Sequence, residues 1–433
     1  MTKHMRFNRR GMLKLGSIGA AGLVLGGQAL GQSGAYVPPS PVDTGRVEGG
    51  KVVFDPWRAP ADAPSSPTPA PLRPEERVGF ALVGLGRLTL EELLPAFAQC
   101  KKAKVTALVS GTPEKLQAVA RQYGIAPENC YSYETFDGIA DNPNVQAVYV
   151  VLPNSMHREY TERAAAAGKH VLCEKPMTVS SADAEAMVAA CERASVKLMV
   201  AYRIQYEAYN KRLQEFVRQG TFGRLVGMSA VNVQTVHENG AQQWRHKRAM
   251  SGGGSLPDIG LYCLNTARFL TGEEPSEIFA SIYSPPDDPR YADVEETVSF
   301  TLRFPSNFIA SCFTSYGARD DKHQRLNFAQ ATIDMPNAYK YEGQAMTIGQ
   351  RNGDNDGMTE LVIDAPNQFA AEIDHMATCV IEGREPRTPG QEGLQDHRLM
   401  DAIYESARTG QPVRLAPVEG LDRFRGPPLP KDA

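Results

Sequence analysis

The chain has 433 residues, of which 42% are hydrophobic and 22% charged, and its formal net charge is −4. This is the composition of a globular protein long enough for two domains, and it excludes collagen-like, disordered and disulfide-scaffold proteins. Residues 1–31 contain five Lys or Arg and no acidic residue, so removing these five positive charges from −4 leaves −9 for the rest. A nucleic-acid partner is therefore not expected.

The N-terminus, residues 1–31, has the pattern of an export signal. Arg9 and Arg10 precede an uncharged run at residues 15–30, which is too short and too rich in glycine to span a membrane. The arginine pair, with Asn8 before it and Met-Leu-Lys shortly after it, resembles a twin-arginine signal peptide. The alternatives are an uncleaved lipid anchor and a fortuitous basic N-terminus. We expect export of the folded protein to the periplasm, with no membrane contact afterwards.

The seven cysteines are scattered along the chain, and no two of them form a C-x-x-C pair. An odd, dispersed set of this kind does not have the pattern of a disulfide framework or of a zinc site, so neither is predicted. We expect all seven to be small core residues with reduced thiols.

Residues 32–76 form a proline-rich arm. Ten prolines lie within residues 38–74, so the arm is expected to run extended, without helix or sheet ladders. The apolar residues Val52, Val53, Phe54 and Trp57 would be costly to leave in water, which favours an arm that lies on a protein surface, such as that of a neighbouring subunit. A solvated linker is the alternative.

Strand and helix patterns alternate from residue 77 to residue 205. Apolar runs without polar alternation predict strands at residues 78–83, 104–109, 147–152, 170–173 and 197–201. Helices are predicted between them at residues 88–99, 113–123, 156–167 and 181–195. This alternation predicts an α/β domain with a Rossmann-type, doubly wound parallel sheet that binds a dinucleotide.

The pattern changes in the remainder, residues 206–433. Alternating segments at residues 225–233, 278–283, 297–304 and 308–314 predict a large open, mainly antiparallel sheet. Helices are predicted at residues 258–270, 368–381 and 395–409. We interpret this part as a second, α+β domain.

The segment after the first predicted strand, Gly84-Leu85-Gly86-Arg87-Leu88-Thr89, is a dinucleotide fingerprint whose third glycine is replaced by threonine. Gly84 permits a tight turn, and Gly86 permits close approach of a pyrophosphate to the free N–H groups at the start of a helix. A strand, a turn and a helix in this order predict a cofactor site at this loop.

The end of the second predicted strand favours NADP over NAD. An acidic residue that binds the ribose is expected about 20 residues after the glycines, but Ser110 stands there, followed by Lys115. A hydroxyl and a cation suit a 2′-phosphate, although Glu114 lies nearby. In the alternative interpretation, Ser110 is a helix cap and Lys115 a solvated side chain.

Three residues are candidates for acid–base chemistry. Lys175 follows the fourth predicted strand, at the sheet edge where ligands bind. Asp258 and Tyr262 are four residues apart in a predicted helix and so share one face. Together they can move a hydroxyl proton while hydride leaves the same carbon. Taken singly, Lys175 can also be a surface lysine, Asp258 a helix cap and Tyr262 a core tyrosine.

Five motifs occur in the order found in the Gfo/Idh/MocA oxidoreductase family, which the chain resembles. They are Gly84-x-Gly86, Pro153-Asn154-Ser155-x-His157, Gly168-Lys169-His170-Val171, Glu174-Lys175-Pro176 and Asp258-Ile259-Gly260-x-Tyr262. Within the family, the leader, the arm, Ser110 with Lys115, and the segments 242–245 and 252–255 are similar to the exported glucose–fructose oxidoreductase type.

The resemblance implies a Rossmann domain and, in residues 206–433, a domain for substrate binding and oligomerisation whose nine-stranded open sheet supports homodimers or homotetramers. It also implies that Lys175, Asp258 and Tyr262 are catalytic. No metal site is predicted. The residues it implies around the cofactor, besides the glycine loop and Lys175, are Tyr133, Pro153, Asn154, His157, Glu174, Arg203, Trp244 and Arg245. The chain departs from the family at Ile204-Gln205, at residues 236–239 and in an expected loop at residues 351–358, which leaves the sugar preference open.

These expectations combine into one functional hypothesis. A cyclic aldose gives hydride to NADP and its hydroxyl proton to Tyr262, with Lys175 favouring the phenolate and Asp258 orienting sugar or base; the product is a lactone. Because no NADP pool is expected outside the cytoplasm, the cofactor stays tightly bound and a second sugar accepts the hydride to give a sugar alcohol. The alternatives are an aldose 1-dehydrogenase with exchangeable NADP, an NAD-dependent glycosidase and a non-catalytic sugar sensor.

Overall fold

The structure is a computed structural model that describes residues 46–48, 51–53, 72–236, 238–418 and 420. The predicted leader, and Phe54 and Trp57 of the arm, lie outside the described residues. Within the arm, β1 (Arg46–Glu48) and β2 (Lys51–Val53) pair antiparallel. The expectation that the arm forms no sheet ladder is therefore wrong for residues 46–48 and 51–53. No proline lies between Pro41 and Pro56, so the backbone N–H groups needed for strand pairing are present.

A six-stranded parallel sheet forms the first layer of the main body, in the order β5-β4-β3-β6-β7-β8. The order reverses between β3 and β6, which in doubly wound sheets marks the ligand crevice. The prediction of a Rossmann-type parallel sheet is confirmed. The short strand β5 was not predicted, because two residues carry no periodic signal. The strands are β3 (Val78–Val83), β4 (Ala103–Val109), β5 (Cys130–Tyr131), β6 (Ala147–Val150), β7 (His170–Glu174) and β8 (Leu198–Ala201).

The helices of this sheet agree with the predicted positions to within a few residues, except at the first. There a π-helical turn, Thr89–Leu93, precedes the short α1 (Leu94–Phe97). The other three are α2 (Pro113–Tyr123), α3 (His157–Ala166) and α4 (Ser181–Arg193). Both faces of the sheet are covered by helices, which explains why every residue of β3 and β6 is buried.

The second sheet has nine strands in the order β16-β15-β14-β13-β9-β12-β11-β10-β17. All neighbours pair antiparallel except β9 and β12, which are parallel, so the predicted mainly antiparallel sheet is confirmed. The strands are β9 (Leu225–Thr235), β10 (Glu277–Tyr283), β11 (Thr297–Arg303), β12 (Ile309–Ser315), β13 (Gly317–Phe328), β14 (Ala331–Met335), β15 (Met346–Asn352), β16 (Asn355–Leu361) and β17 (Val413–Arg414).

Two further expectations, one about the second sheet and one about the cysteines, are corrected. Residues 351–358 are not a loop, because they belong to the hairpin of β15 and β16, in which Asn352 lies opposite Asn355. Their polar, glycine-containing sequence is typical of a turn, yet the strands are exposed and need no apolar alternation. The cysteines are all free, but Cys130 is half-buried at the sheet edge, whereas the other six are buried.

The described residues that follow β8 contain five α-helices: α5 (Ala208–Arg218), α6 (Arg248–Ser251), α7 (Leu261–Thr271), α8 (Gln368–Glu382) and α9 (Gly390–Thr409). A second π-helical turn, Leu256–Gly260, leads into α7, which is buried along its whole length. Although α8 follows the second sheet in the chain, it packs on the first, where Ile373 shares a core with Phe80 and Leu82. Among the described residues, no helix is long and apolar enough to cross a membrane.

Candidate active site

Two adjoining cavities lie at the carboxyl edge of the parallel sheet. The smaller, ≈260 Å³, is bounded by the glycine loop, the ends of β6, β7 and β8, and Trp244. The larger, ≈800 Å³, extends over the second sheet. Seven residues line both cavities, so the two meet there: Arg87, Lys175, Arg203, Arg245, Asp258, Tyr262 and Tyr341.

The glycine loop has the geometry that a pyrophosphate requires. Gly84 has φ +98°, and a Cβ there would lie 2.2 Å from the Val151 carbonyl oxygen, so only glycine fits. At Gly86, by contrast, a Cβ would meet no atom within 4 Å, which means that the protein itself leaves this space open. Thr89, in place of the third glycine, donates from Oγ1 to the Gly84 carbonyl at 2.6 Å and braces the turn. The loop therefore fits a dinucleotide.

Not all residues predicted around the cofactor lie at these cavities. Gly86, Arg87 and Leu88 line the smaller one, as do Pro153, Asn154, Glu174, Arg203, Trp244 and Arg245. The Leu85 side chain is buried in the core beneath the loop. Asn154 also donates from Nδ2 to the Ser251 carbonyl at 2.8 Å, which ties the loop after β6 to the end of α6.

The end of β4 carries the residues predicted to select NADP. The Ser110 hydroxyl is buried and accepts a hydrogen bond from the Thr112 amide at 3.3 Å. Lys115 is exposed on α2. Tyr133 lies close by, since a Cβ at Gly111 would be 2.9 Å from its ring. Lys115 faces solvent, and none of these residues lines the two cavities described above.

His157 joins two loops rather than lining a cavity. Its side chain is fully buried, with Nδ1 3.0 Å from the Pro176 carbonyl oxygen and Nε2 2.8 Å from that of Leu152. Burial lowers the pKa of this imidazole. The histidine therefore fixes the segment after β6 to the segment that carries Lys175, and its contribution to a cofactor site is to position these loops.

Asp258 is the centre of the polar cluster between the two cavities. Lys175 donates from Nζ to the Asp258 carbonyl oxygen at 2.7 Å and lies 3.5 Å from its Oδ1, while Nε of Arg245 is 3.6 Å from the same oxygen. The Tyr316 hydroxyl donates to Oδ2 at 2.8 Å. Burial alone would raise the pKa of Asp258, but the charges of Lys175 and Arg245 and the bond from Tyr316 lower it to about 2. The carboxylate is thus ionised and is a poor proton acceptor.

Tyr262 lies beside this cluster with two cations on its ring. The Lys175 ammonium and the Arg203 guanidinium are each 4.7 Å from the ring centroid. Arg203 is itself fixed, because it donates to the Gln368 side chain and to the Tyr339 carbonyl, both at 2.6 Å. Lys175, Asp258 and Tyr262, which the sequence analysis combines into one acid–base set, thus lie together where the two cavities meet.

Several residues that line the larger cavity were not identified from the sequence. Tyr316, the partner of Asp258, follows β12 directly, so a polar aromatic residue at a strand end was the available signal. Lys322 lies on the unpredicted β13 and donates to the side-chain oxygens of Asn232 at 3.4 Å and Gln234 at 3.3 Å. In the described part of the chain, no group of three or more His, Cys, Asp or Glu side chains is arranged to hold a metal ion.

The glycines at residues 252–254 are required by packing next to the site. A Cβ at Gly253 would be 2.0 Å from the Tyr404 hydroxyl, and one at Gly254 would be 2.0 Å from the Glu295 carbonyl oxygen. Glu295 in turn accepts the Gly254 and Leu256 amides, at 2.8 and 3.0 Å. These contacts hold the start of the π-helical turn that carries Asp258.

Comparisons with known proteins identify sugar oxidoreductases that are similar to this chain. A D-xylose 1-dehydrogenase of Haloarcula marismortui, whose name specifies NADP(+), is 32% identical over 78% of this chain and 93% of its own length. The crystal structure of an aldose-aldose oxidoreductase from Caulobacter crescentus, complexed with glycerol, is 44% identical and superposes with a TM-score of 0.75, covering 78% of this chain and 100% of that one. A levoglucosan dehydrogenase structure, complexed with NADH and levoglucosan, shares the fold at 21% identity, with a TM-score of 0.69 over 78% of this chain and 99% of that one.

Two family descriptions match consecutive parts of the chain. Residues 78–202 match the oxidoreductase family with an NAD-binding Rossmann fold, GFO_IDH_MocA, and residues 210–330 match the GFO/IDH/MocA C-terminal domain. The resemblance inferred from the motifs is confirmed. The chain belongs to the Gfo/Idh/MocA family of oxidoreductases.

Proposed function

We propose that this protein is a periplasmic sugar oxidoreductase that holds NADP tightly, oxidises a cyclic aldose to its lactone and passes the hydride to a second sugar. The observation that carries the proposal is the cluster of Lys175, Asp258 and Tyr262, which lies where a dinucleotide-binding loop meets a large polar cavity. The names of its similar proteins, an aldose-aldose oxidoreductase and a D-xylose 1-dehydrogenase, support an aldose as substrate.

The chain's residues divide the chemistry among them. NADP, when bound, would supply the hydride acceptor for the first sugar and the hydride donor for the second. Tyr262 takes the proton of the C1 hydroxyl, because Asp258, with its pKa lowered to about 2, stays ionised. The charges of Lys175 and Arg203 on the tyrosine ring stabilise negative charge there during proton transfer. Asp258 balances Lys175 and Arg245 and fixes the ammonium in place.

The second half of the cycle reverses these steps. Hydride adds to the carbonyl carbon of the acceptor sugar, fructose or an aldose, while Tyr262 returns the proton to the carbonyl oxygen, giving a sugar alcohol. The twin-arginine pattern at residues 1–31 supports this exchange, because an exported enzyme has no free NADP to draw on. Ser110 and Lys115 at the end of β4 support NADP rather than NAD as the cofactor.

A second candidate is an aldose 1-dehydrogenase with exchangeable NADP. It is favoured by the exposure of Lys115 to solvent and by two relatives that are named D-xylose 1-dehydrogenases, with NADP(+) in both names. The two candidates differ in cofactor exchange. Removal of excess nucleotide by gel filtration therefore separates them, since only the second candidate loses activity and regains it with added NADP.

We further propose that the protein is a homodimer or homotetramer formed through the second sheet. One face of this sheet carries the buried core, whereas the other exposes large apolar side chains on β10 and β12: Phe279, Tyr283, Ile309 and Phe313. An exposed apolar patch of this kind is typical of an interaction surface.

The test uses the exported, purified protein. Its absorption spectrum is recorded as isolated, then after single additions of glucose, xylose and other aldoses, and again after a challenge with fructose or a second aldose. The proposal predicts reduction of bound nucleotide by one sugar and reoxidation by another without added NADP. Protein that is isolated without nucleotide and needs a free supply at each turnover would refute it.

A further inference from the structure

A pair of buried carboxyl groups lies beneath the active site, and the proposed chemistry does not use it. Glu174, the last residue of β7, and Glu372, on α8, approach the same phenol from two sides. The Tyr149 hydroxyl donates to Oε1 of Glu174 at 2.8 Å and lies 3.5 Å from Oε1 of Glu372. Glu372 is fully buried, and Glu174 is exposed only where it lines the smaller cavity.

The hydrogen bonds around the two carboxyl groups are unequal. Glu174 accepts the single proton of Tyr149 and, on Oε2, the amide of Lys175 at 3.1 Å. Oε2 of Glu372 has no hydrogen-bond partner. An ionised Glu372 would therefore be a buried charge with one oxygen unsatisfied, which is costly. A protonated Glu372 can instead donate from Oε1 to the Tyr149 oxygen, and this completes a chain of hydrogen bonds that ends at Glu174.

The surrounding charges also favour a protonated Glu372 beside an ionised Glu174. Burial, and then the charge of Glu174, raise the pKa of Glu372, and Arg203 opposes them. Burial also raises the pKa of Glu174, but Lys175, Arg203 and two hydrogen bonds act against it. The nearby phenol of Tyr206 bonds to Thr388 and stays neutral, because burial raises its pKa.

The rest of α8 adds no charge that would stabilise an ionised Glu372. Its face towards the parallel sheet is apolar, with Phe369, Ile373 and Met376 in the core. His375, the titratable neighbour on the same helix, is neutral, since burial and nearby cations lower its pKa to about 3.

We propose that Glu372 is a positioning residue that stays protonated and, through Tyr149, holds Glu174 ionised and bonded to the Lys175 amide. The proposal rests on the proposed role of Lys175. Through Glu372, α8 fixes the segment that carries Lys175, although α8 and Lys175 are distant in the sequence. Loss of the proton would place a second negative charge beside Glu174 and leave one phenol proton for two carboxylates.

The test compares Glu372→Gln, which mimics the protonated acid, with Glu382→Gln, an exposed carboxylate on the same helix. Infrared spectra of the whole protein at neutral pH should show a carboxylic-acid C=O band that disappears in Glu372→Gln and persists in Glu382→Gln. Buried Asp396, with its pKa raised to about 6, contributes equally to all three proteins and cancels in the difference.

The second measurement is the pH profile of kcat for aldose oxidation. At neutral pH, Glu372→Gln should stay within about threefold of the wild type, because the amide preserves the bond to Tyr149. Glu372→Leu, which cannot make that bond, should lose about tenfold or more. Because ionisation of Glu372 would break the bonds that run through Tyr149, the alkaline fall of kcat should move to higher pH in Glu372→Gln but not in Glu382→Gln.

The outcomes separate this proposal from the proposed function. An unchanged infrared spectrum in Glu372→Gln, or an alkaline limb that does not move, would overturn the role given to Glu372 while leaving sugar oxidation intact. A wild-type protein that oxidises no aldose would overturn the proposed function, and the infrared comparison would still decide which carboxyl group holds the proton.

Discussion

Replacing Asp258 with asparagine should make the free energy of unfolding less dependent on pH in the acidic range. The pKa of this carboxyl is lowered from 3.8 to about 2, which corresponds to about 2 kcal/mol of stabilisation, since one pKa unit is about 1.4 kcal/mol. The sign follows from the lowered pKa: the stabilisation is present above the unfolded value near 4 and is lost as the pH falls towards 2. The side chain is 21% exposed, so screening by solvent is modest.

Denaturant unfolding at about pH 7 and about pH 3 measures this difference. Asp258→Asn should be less stable than the wild type by about 2 kcal/mol at the higher pH and by clearly less at the lower one. Asp320→Asn is the matched control, because Asp320 also contacts two lysines, Lys322 and Lys340, but is 46% exposed. Its effect should stay at or below about 1 kcal/mol. An equal loss for Asp258→Asn at both pH values would refute the electrostatic argument.

Four further predictions test the other parts of the structure. Tyr262→Phe should reduce the rate of aldose oxidation about a hundredfold or more without changing the nucleotide content, and a normal single-turnover rate would remove Tyr262 as the proton acceptor. Gly86→Ala should lower nucleotide content but leave the melting temperature of the nucleotide-free protein unchanged, whereas Gly84→Ala should lower that melting temperature, because its Cβ would clash with the Val151 carbonyl; equal effects in calorimetry would contradict the geometry of the glycine loop. Burial raises the pKa of Glu372, so its stabilising contribution is complete below the unfolded pKa and falls as the pH rises; Glu372→Gln should therefore gain stability relative to the wild type as the pH rises from about 4 to about 8 in unfolding experiments, and parallel stability profiles would count against a raised pKa. Phe313→Lys, on the exposed face of the second sheet, should shift the protein to smaller species in analytical ultracentrifugation, and an unchanged sedimentation coefficient would place the subunit interface elsewhere.

The parts of the fold that could be predicted are those where burial leaves a clear periodic signal. The strands β3 and β6 are buried on both faces, and their sequences are uninterrupted apolar runs. The strands β13 and β16 were not predicted, because most of their residues are exposed or half-buried and polar on both faces. Their position is set by hydrogen bonding to neighbouring strands, which leaves no pattern in the local sequence.

The same distinction applies to the site. Residues in local motifs, such as Gly84, Gly86 and Lys175, could be identified because each motif combines a strand, a turn and a chemical group over a few positions. Tyr316 and Glu372 could not, because their partners are distant in the chain: Tyr316 is 58 residues from Asp258, and Glu372 is 223 residues from Tyr149. No local pattern records that two such segments meet.

The spacing of Asp258 and Tyr262 shows why a motif can be correct while its geometry is not. The two residues were expected on one face of a regular α-helix, but Asp258 lies in the π-helical turn Leu256–Gly260 and Tyr262 in α7. In this turn, the Asp258 carbonyl accepts the Lys175 ammonium at 2.7 Å and the Ile259 carbonyl accepts the Asn232 amide at 2.9 Å. π-helical turns of this kind are frequent at functional sites. Because the Lys175 ammonium bonds to a carbonyl group of this turn as well as lying 3.5 Å from the Asp258 carboxylate, the backbone of the turn takes part in orienting Lys175.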